Sequence, residues 1–268
     1  MMQGAIRIKS HQDIRVIYRA CQIAARLLNE LRVRVRPGAS TGELNEFAES
    51  FIAGNGCAPA FKGYQGFPAA LCTSINEEIV HGIPSRKRVL QEGDILSVDT
   101  GVVRDGFYSD TAYTYYVGEG EPATETARLL TATREALAEG VAAVKDGVRL
   151  NRVSEAIARR ARREGYKVIR DLSGHGVGYN LHEPPTIYNY PVPAGEGIRL
   201  RNGMVLAIEP MVSMGTEKIM LADDGWTYST VDGSLAAHFE HTVAVWDGRH
   251  VVLTEEGNDE ARALFGPV

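Results

Sequence analysis

The first half of the chain opens with two amphipathic segments. Apolar side chains between residues 11 and 31 recur at three- and four-residue steps, which predicts a helix with one buried face. Ser10 and Asp13 have the spacing of a capping box at the start of this helix. After a Pro-Gly break, Thr41 can cap a second helix over residues 42–53, which ends where glycines begin. The predicted order is therefore helix, turn, helix.

The second half repeats this order. Its pattern predicts a helix over about residues 124–144, a second over 150–164 and, after a glycine, a strand over 166–172. Sequence identity between the halves is weak, so the repeat is one of pattern only. Two such halves, about residues 10–120 and 121–253, would pack into one mixed α/β (α+β) domain and leave a cleft at their junction.

A hairpin is predicted between the two helical parts, over residues 95–118. Two apolar-rich runs flank an Asp-Gly pair there, which is a strong signal for a tight turn between antiparallel strands. With that pair as the loop, Asp99 lies opposite Ala112, and Asp110 lies opposite Gly101. Both carboxylates then share one face of the hairpin, within reach of a common ion. In an isolated hairpin, two such acids more commonly face water at a sheet edge.

Two long segments between these elements are predicted to be loops. Residues 61–84 mix glycine, aromatic and apolar side chains, and residues 174–195 are rich in glycine and proline. For the polar tail after residue 253, a short helix and a frayed end are equally compatible with the sequence.

Two further acids stand where an apolar side chain is expected. Glu209 lies in the run MVLAIEPMVS and Glu240 in LAAHFEHTVAVW, and a buried carboxylate needs a partner because charge in an apolar setting is costly. A structural salt bridge could supply that partner. His175 stands between glycines in SGHGVG, which leave room for its imidazole to project into a cleft. Together with the hairpin acids, these residues favour a shared cation.

The charge of this set predicts two cations. Four carboxylates and a neutral imidazole carry four negative charges, which two divalent ions neutralise and one does not. Mostly oxygen ligands with one imidazole favour Mn(II), Fe(II) or Co(II) over a thiolate-type zinc site. A water shared by two such ions is a hydroxide near neutral pH and can attack a carbonyl. We therefore expect metal-assisted hydrolysis.

Composition limits the class of protein and its partners. The chain has 268 residues, is 44% hydrophobic and carries a net charge of −5, which argues against nucleic acid as the main ligand. Its three cysteines are irregularly spaced and predict neither a disulfide framework nor a zinc knuckle. Since no signal-peptide pattern and no apolar stretch of membrane-span length is present, we expect a cytoplasmic protein without a membrane partner.

Five short motifs resemble, in order and spacing, those of type I methionine aminopeptidases. They are SVDTG and YSDTA around the hairpin, followed by SGHGVG, AIEP and FEHT. The resemblance covers roughly residues 14–253 and implies one catalytic domain, residues 1–268, with the pseudo-two-fold pita-bread fold. That fold has an antiparallel sheet flanked by helices and an active site in the central cleft.

The resemblance also implies a role for each ligand. Asp99 would chelate one ion, and His175 and Glu209 would hold the other. Asp110 and Glu240 would bridge both. The implied cofactor is a pair of divalent cations, with Co, Mn, Fe and Zn all open.

Two further histidines match the family's pattern. His81 in NEEIVHGIP resembles its substrate-side histidine, and His182 in LHEPP resembles the histidine that contacts the scissile amide. Alone, either would more commonly be a surface-loop residue. Beside five ligands, both are predicted to be catalytic and to donate hydrogen bonds to the substrate carbonyl or the tetrahedral intermediate.

An apolar slot sized for a methionine side chain is implied as well, since aromatic and sulfur contacts suit a thioether. Its predicted walls are Tyr64, Phe67, Cys72, Leu181 and Trp226. The sequence departs from the family at Phe61, where cysteine is common, at Phe67, where tyrosine is common, and at Leu181, where phenylalanine is common. The slot should stay apolar with an altered shape. Ordinary loop packing is the alternative for each of these residues.

The resemblance implies removal of the initiator methionine from new polypeptides whose second residue is small. The substrates would be nascent N-termini at or near the ribosome, and we expect a monomer with no nucleic-acid partner.

The same motifs have three other interpretations. A proline-directed peptidase uses the same five ligands but usually carries a large extra N-terminal domain. A type II methionine aminopeptidase has an inserted helical subdomain, for which the interval between His175 and Glu209 is too short. A non-catalytic binding module would lose ligands, and all five are present here.

Overall fold

Two helices form the predicted helical part of the first half. The structure, a computed structural model that describes residues 4–266, places α1 at His11–Arg32 and α2 at Thr41–Gly54. The capping box at the start of α1 is confirmed, because the Asp13 backbone N–H donates to the Ser10 hydroxyl. The cap of α2 is Ser40 and not Thr41, which is already helical. Ser40 is the cap because Glu43 follows it by three residues, so the two form the reciprocal hydrogen bonds of a capping box.

Two more helices form the corresponding part of the second half. They are α3 (Thr124–Ala142) and α4 (Asn151–Arg163), and both agree with the predicted segments within two residues. A four-residue turn of helix, α5 (Pro193–Glu196), lies in the segment predicted to be a loop. The tail forms α6 (Asp259–Phe265), capped by Asn258, so the short-helix alternative is correct.

Seven strands belong to the first half. They are β1 (Ala58–Pro59), β2 (Leu71–Ile75), β3 (Glu78–Val80), β4 (Ile95–Thr100), β5 (Val102–Arg104), β6 (Phe107–Tyr108) and β7 (Thr111–Tyr116). The hairpin register is confirmed where β4 pairs with β7, because Asp99 lies opposite Ala112. Its Asp-Gly turn has left-handed φ angles, 49° at Asp105 and 80° at Gly106, which glycine and aspartate tolerate. The prediction that residues 61–84 form a loop is wrong, because β2 and β3 lie there.

Ten strands belong to the second half. They are β8 (Lys167–Val168), β9 (Ser173–Gly176), β10 (Glu183–Tyr188), β11 (Val205–Ile208), β12 (Met211–Ser213), β13 (Ile219–Leu221), β14 (Tyr228–Thr230), β15 (Ala236–His238), β16 (His241–Trp246) and β17 (Arg249–Val252). The strand predicted over residues 166–172 shrinks to β8. The predicted loop over residues 174–195 is wrong for β9 and β10, which pair with each other in a five-stranded sheet.

The strands make five antiparallel sheets. The two that matter for the cleft have the orders β2-β4-β7 and β10-β9-β11-β16-β17. They meet through an isolated bridge between Ala112 and Glu240, and the Thr111 hydroxyl donates to the Glu240 carbonyl at 2.9 Å. The Thr114 hydroxyl likewise donates to the His238 carbonyl at 2.7 Å. The junction of the halves is therefore a continuous hydrogen-bonded seam.

Helix α1 packs against both sheets. Its first turns place Ile14 and Ile17 in one apolar cluster with Val205 of β11. Further along, Leu27 shares a second cluster with Val98 of β4. Helices α3 and α4 cover the five-stranded sheet from another side. This arrangement confirms a mixed α/β domain with antiparallel sheets flanked by helices. Within residues 4–266, no helix combines the length and the apolarity needed to cross a bilayer.

Candidate metal centre

A cleft of about 200 Å³ opens where the two sheets meet. Its walls contain every residue that the sequence predicts for the site: Tyr64, Phe67, Cys72, His81, Asp99, Asp110, His175, Leu181, His182, Glu209, Trp226 and Glu240. The folding of the chain thus brings together side chains that are far apart in sequence. Their individual roles stay predictions.

The five predicted ligands form overlapping groups. The ligand atoms of Asp99, Asp110 and Glu240 lie within 4.8 Å of one another, and so do those of His175, Glu209 and Glu240. A third group of the same size joins Asp110 and His175 to His182. Because Asp110 and Glu240 each belong to two groups, the side chains form one continuous cluster.

Strand interruptions aim three of these acids into the cleft. Asp110 lies between β6 and β7, Glu209 between β11 and β12, and Glu240 between β15 and β16. Pro210 follows Glu209 and has no backbone N–H with which to continue the ladder. Each acid therefore occupies a break between two strands. The apolar run around it predicts, instead, a position in the middle of one strand.

Burial and mutual repulsion keep the carboxyl groups from ionising together. Burial raises the pKa of Asp99 to about 7. Burial, reinforced by the charges of Glu240 and Asp99, raises the pKa of Asp110 well above its ordinary value. The pKa values of Glu209 and Glu240 are raised for the same reasons, with burial again the largest cause. Without a cation, the cluster holds protons that ordinary carboxyls would have released at neutral pH.

His175 presents a bare nitrogen to this cluster. Its Nδ1 donates to the Gly176 carbonyl at 2.9 Å, which leaves Nε2 unprotonated in the neutral ring. Nε2 lies 3.4 Å from a Glu209 oxygen and 3.5 Å from an Asp110 oxygen. Burial lowers the pKa of His175 to about 3, so the imidazole is neutral and makes no true ion pair with either.

The glycines beside His175 allow β9 to pack closely against the backbones of its two neighbouring strands. A Cβ at Gly174 would lie 2.4 Å from the Ala207 carbonyl oxygen on β11. A Cβ at Gly176 would lie 2.4 Å from the Pro184 carbonyl oxygen on β10. Strand β9 is thus packed closely between two neighbours, which requires glycine at both positions, and His175 projects into the cleft as expected.

The cluster fits divalent cations. Buried oxygens of Asp99, Asp110 and Glu240 have no hydrogen-bond partner among the residues that the structure describes. Unpaired buried carboxylate oxygens are costly and call for a compensating charge. Four carboxylates and one imidazole are also a donor set that suits divalent metals.

His81 and His182 both line the cleft. The His182 side chain is partly open to solvent, but desolvation by the cleft walls, with a further effect of His81, lowers its pKa to about 4 and keeps the ring neutral. It lies edge-on to His175, with ring centroids 4.3 Å apart, and its Nδ1 is 2.8 Å from the Tyr64 hydroxyl. His81 has a left-handed φ of 61°, a strained conformation of the kind that clusters at functional sites.

Sequence reasoning missed a fourth histidine in the cleft, besides His81, His175 and His182. His238 is 1% exposed, and its Nε2 lies 3.7 Å from a Glu209 oxygen and 4.0 Å from a Glu240 oxygen. Neither ring nitrogen has a hydrogen-bond partner among the described residues. Its position two residues before Glu240 was an available signal, because residues two apart on a strand share a face.

The predicted slot is apolar and aromatic. Phe67 packs edge-on against Trp226, with ring centroids 5.1 Å apart. Both belong to a cluster with Leu181, Cys72 and Phe61. Burial, followed by the charge of Asp99, raises the pKa of the Cys72 thiol, which behaves as a small apolar residue here.

Comparison with known proteins agrees with this geometry. Residues 15–247 match the model of metallopeptidase family M24. A methionine aminopeptidase of Borreliella burgdorferi is 45% identical over 250 residues, which are 93% of this chain and 98% of that protein. The chain belongs to metallopeptidase family M24. As an M24 member it is a metal-dependent hydrolase with the pita-bread fold, and divalent metal ions are its cofactors.

Solved structures give the same picture of this M24 protein. A methionine aminopeptidase from Thermotoga maritima has a TM-score of 0.91 and 44% identity, covering 94% of this chain and 100% of the other. A prolidase from Pyrococcus horikoshii has a TM-score of 0.75 at 23% identity and shares the fold alone. The shared part is 94% of this M24 chain and 64% of that prolidase.

Proposed function

We propose that this protein is a type I methionine aminopeptidase, which removes the initiator methionine from new polypeptides when the second residue is small. The observation that carries the proposal is the cleft itself, where five ligand-type side chains adjoin an aromatic slot. High identity to named methionine aminopeptidases over nearly their whole length supports it. We also propose one catalytic domain, residues 1–268, with halves about 10–120 and 121–253.

The proposed cofactor is a pair of divalent cations, with Co, Mn, Fe and Zn as candidates. Asp99 would hold one, His175 and Glu209 the other, and Asp110 and Glu240 would belong to both. The sharing of Asp110 and Glu240 between neighbouring ligand groups supports a dinuclear arrangement. When bound, the cations would supply Lewis-acid polarisation and a water acidic enough to be a nucleophile near neutral pH.

The chain's own residues would bind and orient the peptide. The slot around Phe67 and Trp226 would take the methionine side chain, and its closed apolar walls would exclude water from it. His182, neutral and next to the cluster, would donate an N–H to the scissile carbonyl and stabilise the developing oxyanion. His81, which lines the same cleft, would also contact the substrate. Nascent N-termini at or near the ribosome are the proposed substrates, and the protein is proposed to act as a cytoplasmic monomer.

A peptide assay tests this function. Protein purified without added metal should release free methionine from a Met-Ala-Ser peptide once Mn(II) or Co(II) is added. The same preparation should leave an Xaa-Pro peptide and a Met peptide with a bulky second residue uncleaved. Cleavage of the Xaa-Pro peptide alone would instead make it a proline-directed peptidase. Cleavage of neither, with metal bound, would make it a binding module.

A further inference from the structure

The hydroxyl of Tyr64 makes a contact that a slot wall does not need. It lies 2.8 Å from His182 Nδ1, and the two rings pack with centroids 5.1 Å apart. Phe67 lines the same slot and packs on Trp226 with its ring alone. The phenol oxygen therefore has a purpose beyond apolar contact, and its partner is the histidine beside the metal cluster.

The backbone around Tyr64 holds the hydroxyl in place. Tyr64 begins a single 3-10 turn, Tyr64–Gly66, in which its N–H donates to the Phe61 carbonyl at 2.9 Å. The Phe67 N–H donates back to the Tyr64 carbonyl at 2.9 Å, and the Gly63 N–H donates to the Phe67 carbonyl at 2.7 Å. A turn closed by three backbone hydrogen bonds fixes the main chain from which the Tyr64 ring projects, and the contact with His182 then holds the ring.

The backbone of His182 is fixed from the other side. Its neighbour Glu183 accepts hydrogen bonds from Lys9 Nζ at 2.6 Å and from the Asn180 N–H at 2.8 Å. With the main chain anchored, what remains to be decided is which nitrogen of the imidazole carries the proton.

A neutral imidazole has one donor nitrogen and one acceptor nitrogen. If the Tyr64 hydroxyl donates to Nδ1, the proton must sit on Nε2, the nitrogen free to face the cleft. We propose that Tyr64 is a positioning residue that holds His182 in the tautomer able to donate from Nε2 to the substrate carbonyl. This inference rests on the proposed aminopeptidase function. It adds the reason why His182 can donate a hydrogen bond to the oxyanion, namely that Tyr64 fixes its tautomer.

A double-mutant cycle tests the assignment. Tyr64→Phe keeps the ring and removes the hydroxyl, so it should lower kcat about tenfold, as expected for the loss of one hydrogen bond, with KM within about twofold of wild type. In a His182→Ala background, Tyr64→Phe should lower kcat no further, since the group through which it acts is gone. Metal content and melting temperature should be unchanged by Tyr64→Phe.

Two control variants separate positioning from packing. Phe67→Leu alters the slot without touching His182, so it should raise KM by the same factor in both backgrounds. Tyr190→Phe removes a hydroxyl that donates to the Arg170 carbonyl, and since neither residue lines the cleft, it should leave activity unchanged. An unchanged kcat for Tyr64→Phe, or an equal loss with and without His182, would overturn the proposal.

An activity-independent measurement distinguishes this inference from the proposed function. Nitrogen NMR of isotope-labelled histidine in the metal-free protein should show His182 protonated at Nε2, and a mixture of tautomers in Tyr64→Phe. Should wild type release no methionine, the aminopeptidase proposal fails while this spectrum still decides the Tyr64–His182 bond. A His182 proton on Nδ1 in wild type would overturn the positioning role.

Discussion

At the scale of single residues, Asp110 is one of three side chains, with His175 and Glu240, that join two groups of ligand atoms. It shares one group of ligand atoms with Asp99 and Glu240, and another with His175 and His182. Its side chain is 5% exposed and one of its oxygens has no partner in the described part of the chain. A single change at Asp110 should therefore disturb both proposed ion positions at once.

We expect Asp110→Asn to lower kcat by at least about 100-fold and to reduce bound metal, because a shared ligand has lost its charge. Elemental analysis of the purified variant, paired with the methionine-release assay, measures both effects. Asp105→Asn in the exposed turn of the same hairpin is the matched control, since asparagine also tolerates a positive φ. Wild-type activity in Asp110→Asn with unchanged metal content would refute the ligand assignment.

For His182, the structure makes two roles geometrically available. Its ring nitrogen lies within 4.8 Å of the ligand atoms of Asp110 and His175, so it could share a metal with them. The proposed function makes it a hydrogen-bond donor instead. As a donor, its replacement by alanine should lower kcat about 100-fold or more and leave metal occupancy nearly intact. Steady-state kinetics and metal titration of His182→Ala decide between them. A large loss of bound metal would show that His182 is a ligand.

Many of the residues that line the cleft could be predicted from the sequence, but their contacts there could not. An acid in an apolar strand is unusual enough to be noticed locally, as at Glu209 and Glu240. His238 was not predicted, because a single histidine in an apolar strand is more commonly an ordinary packing residue. The Tyr64–His182 contact joins segments more than a hundred residues apart, and nothing in either segment specifies it.

At the scale of elements, the turn between β9 and β10 carries His182 and depends on a buried ion pair. Lys9, just before α1, reaches Glu183 across a distance of 2.6 Å, and each side chain is 1% exposed. Burial lowers the pKa of Lys9 despite the attraction of Glu183, so desolvation outweighs the pairing. The segment before α1 is thereby tied to the strand pair next to the cleft.

Lys9→Met should destabilise the protein by about 3–5 kcal/mol, because it leaves the Glu183 carboxylate buried without its cation. Urea unfolding measures the change, with Arg86→Ala at the exposed Arg86–Glu46 pair as a control that should cost nothing detectable. The double variant Lys9→Met/Glu183→Leu should recover most of the loss, since no charge then remains buried. If Lys9→Met left the free energy of unfolding unchanged, water would have to reach the Lys9–Glu183 pair.

Helices could be predicted from the sequence far better than strands. The residues that bury α1, α3 and α4 recur locally at helical spacing, so their bounds agree with prediction to within two residues. Strands β9 and β10 lie in a stretch of glycine and proline with no alternating pattern. Strand β9 forms because β11 offers a partner more than twenty residues away, and β10 then pairs with the other edge of β9, which a local pattern cannot show.

At the scale of the whole molecule, the metal cluster lies on the seam between the halves. Asp99 and Asp110 belong to the first half, and His175, Glu209 and Glu240 to the second. Bound cations would therefore link the two parts of the fold as well as the reactants. The stability of the entire protein should depend on metal and on pH.

The pH dependence has a definite sign. In the metal-free protein the cluster carboxyls have raised pKa values, so between about pH 4 and pH 7 the folded state binds protons that the unfolded chain has released. The contribution of Asp99 to stability is full below about pH 4 and is lost as pH rises through its pKa of about 7. The raised pKa values of Asp110, Glu209 and Glu240 act in the same direction. Saturating Mn(II) or Co(II) should displace these protons, abolish that decline and stabilise the fold by about 2.7 kcal/mol at 100 times Kd.

Thermal unfolding with and without chelator, measured from pH 4 to pH 8, checks this prediction, and calorimetry in two buffers counts the protons released on metal binding. The same scans on Asp110→Asn should show a weaker pH dependence. Equal melting curves with and without metal at pH 7.5 would contradict the idea that the ions join the halves.

The crowding of β9 has a practical consequence for anyone who wants to retarget the enzyme. At Gly174 and Gly176 even a methyl group would collide with carbonyl oxygens of β11 and β10, so a mutant library that randomises those codons would consist mostly of misfolded clones. Leu181 and Phe67 line the cleft from loops and can change in volume without moving a strand. New side-chain preferences should be sought at these two positions, with the glycines held constant.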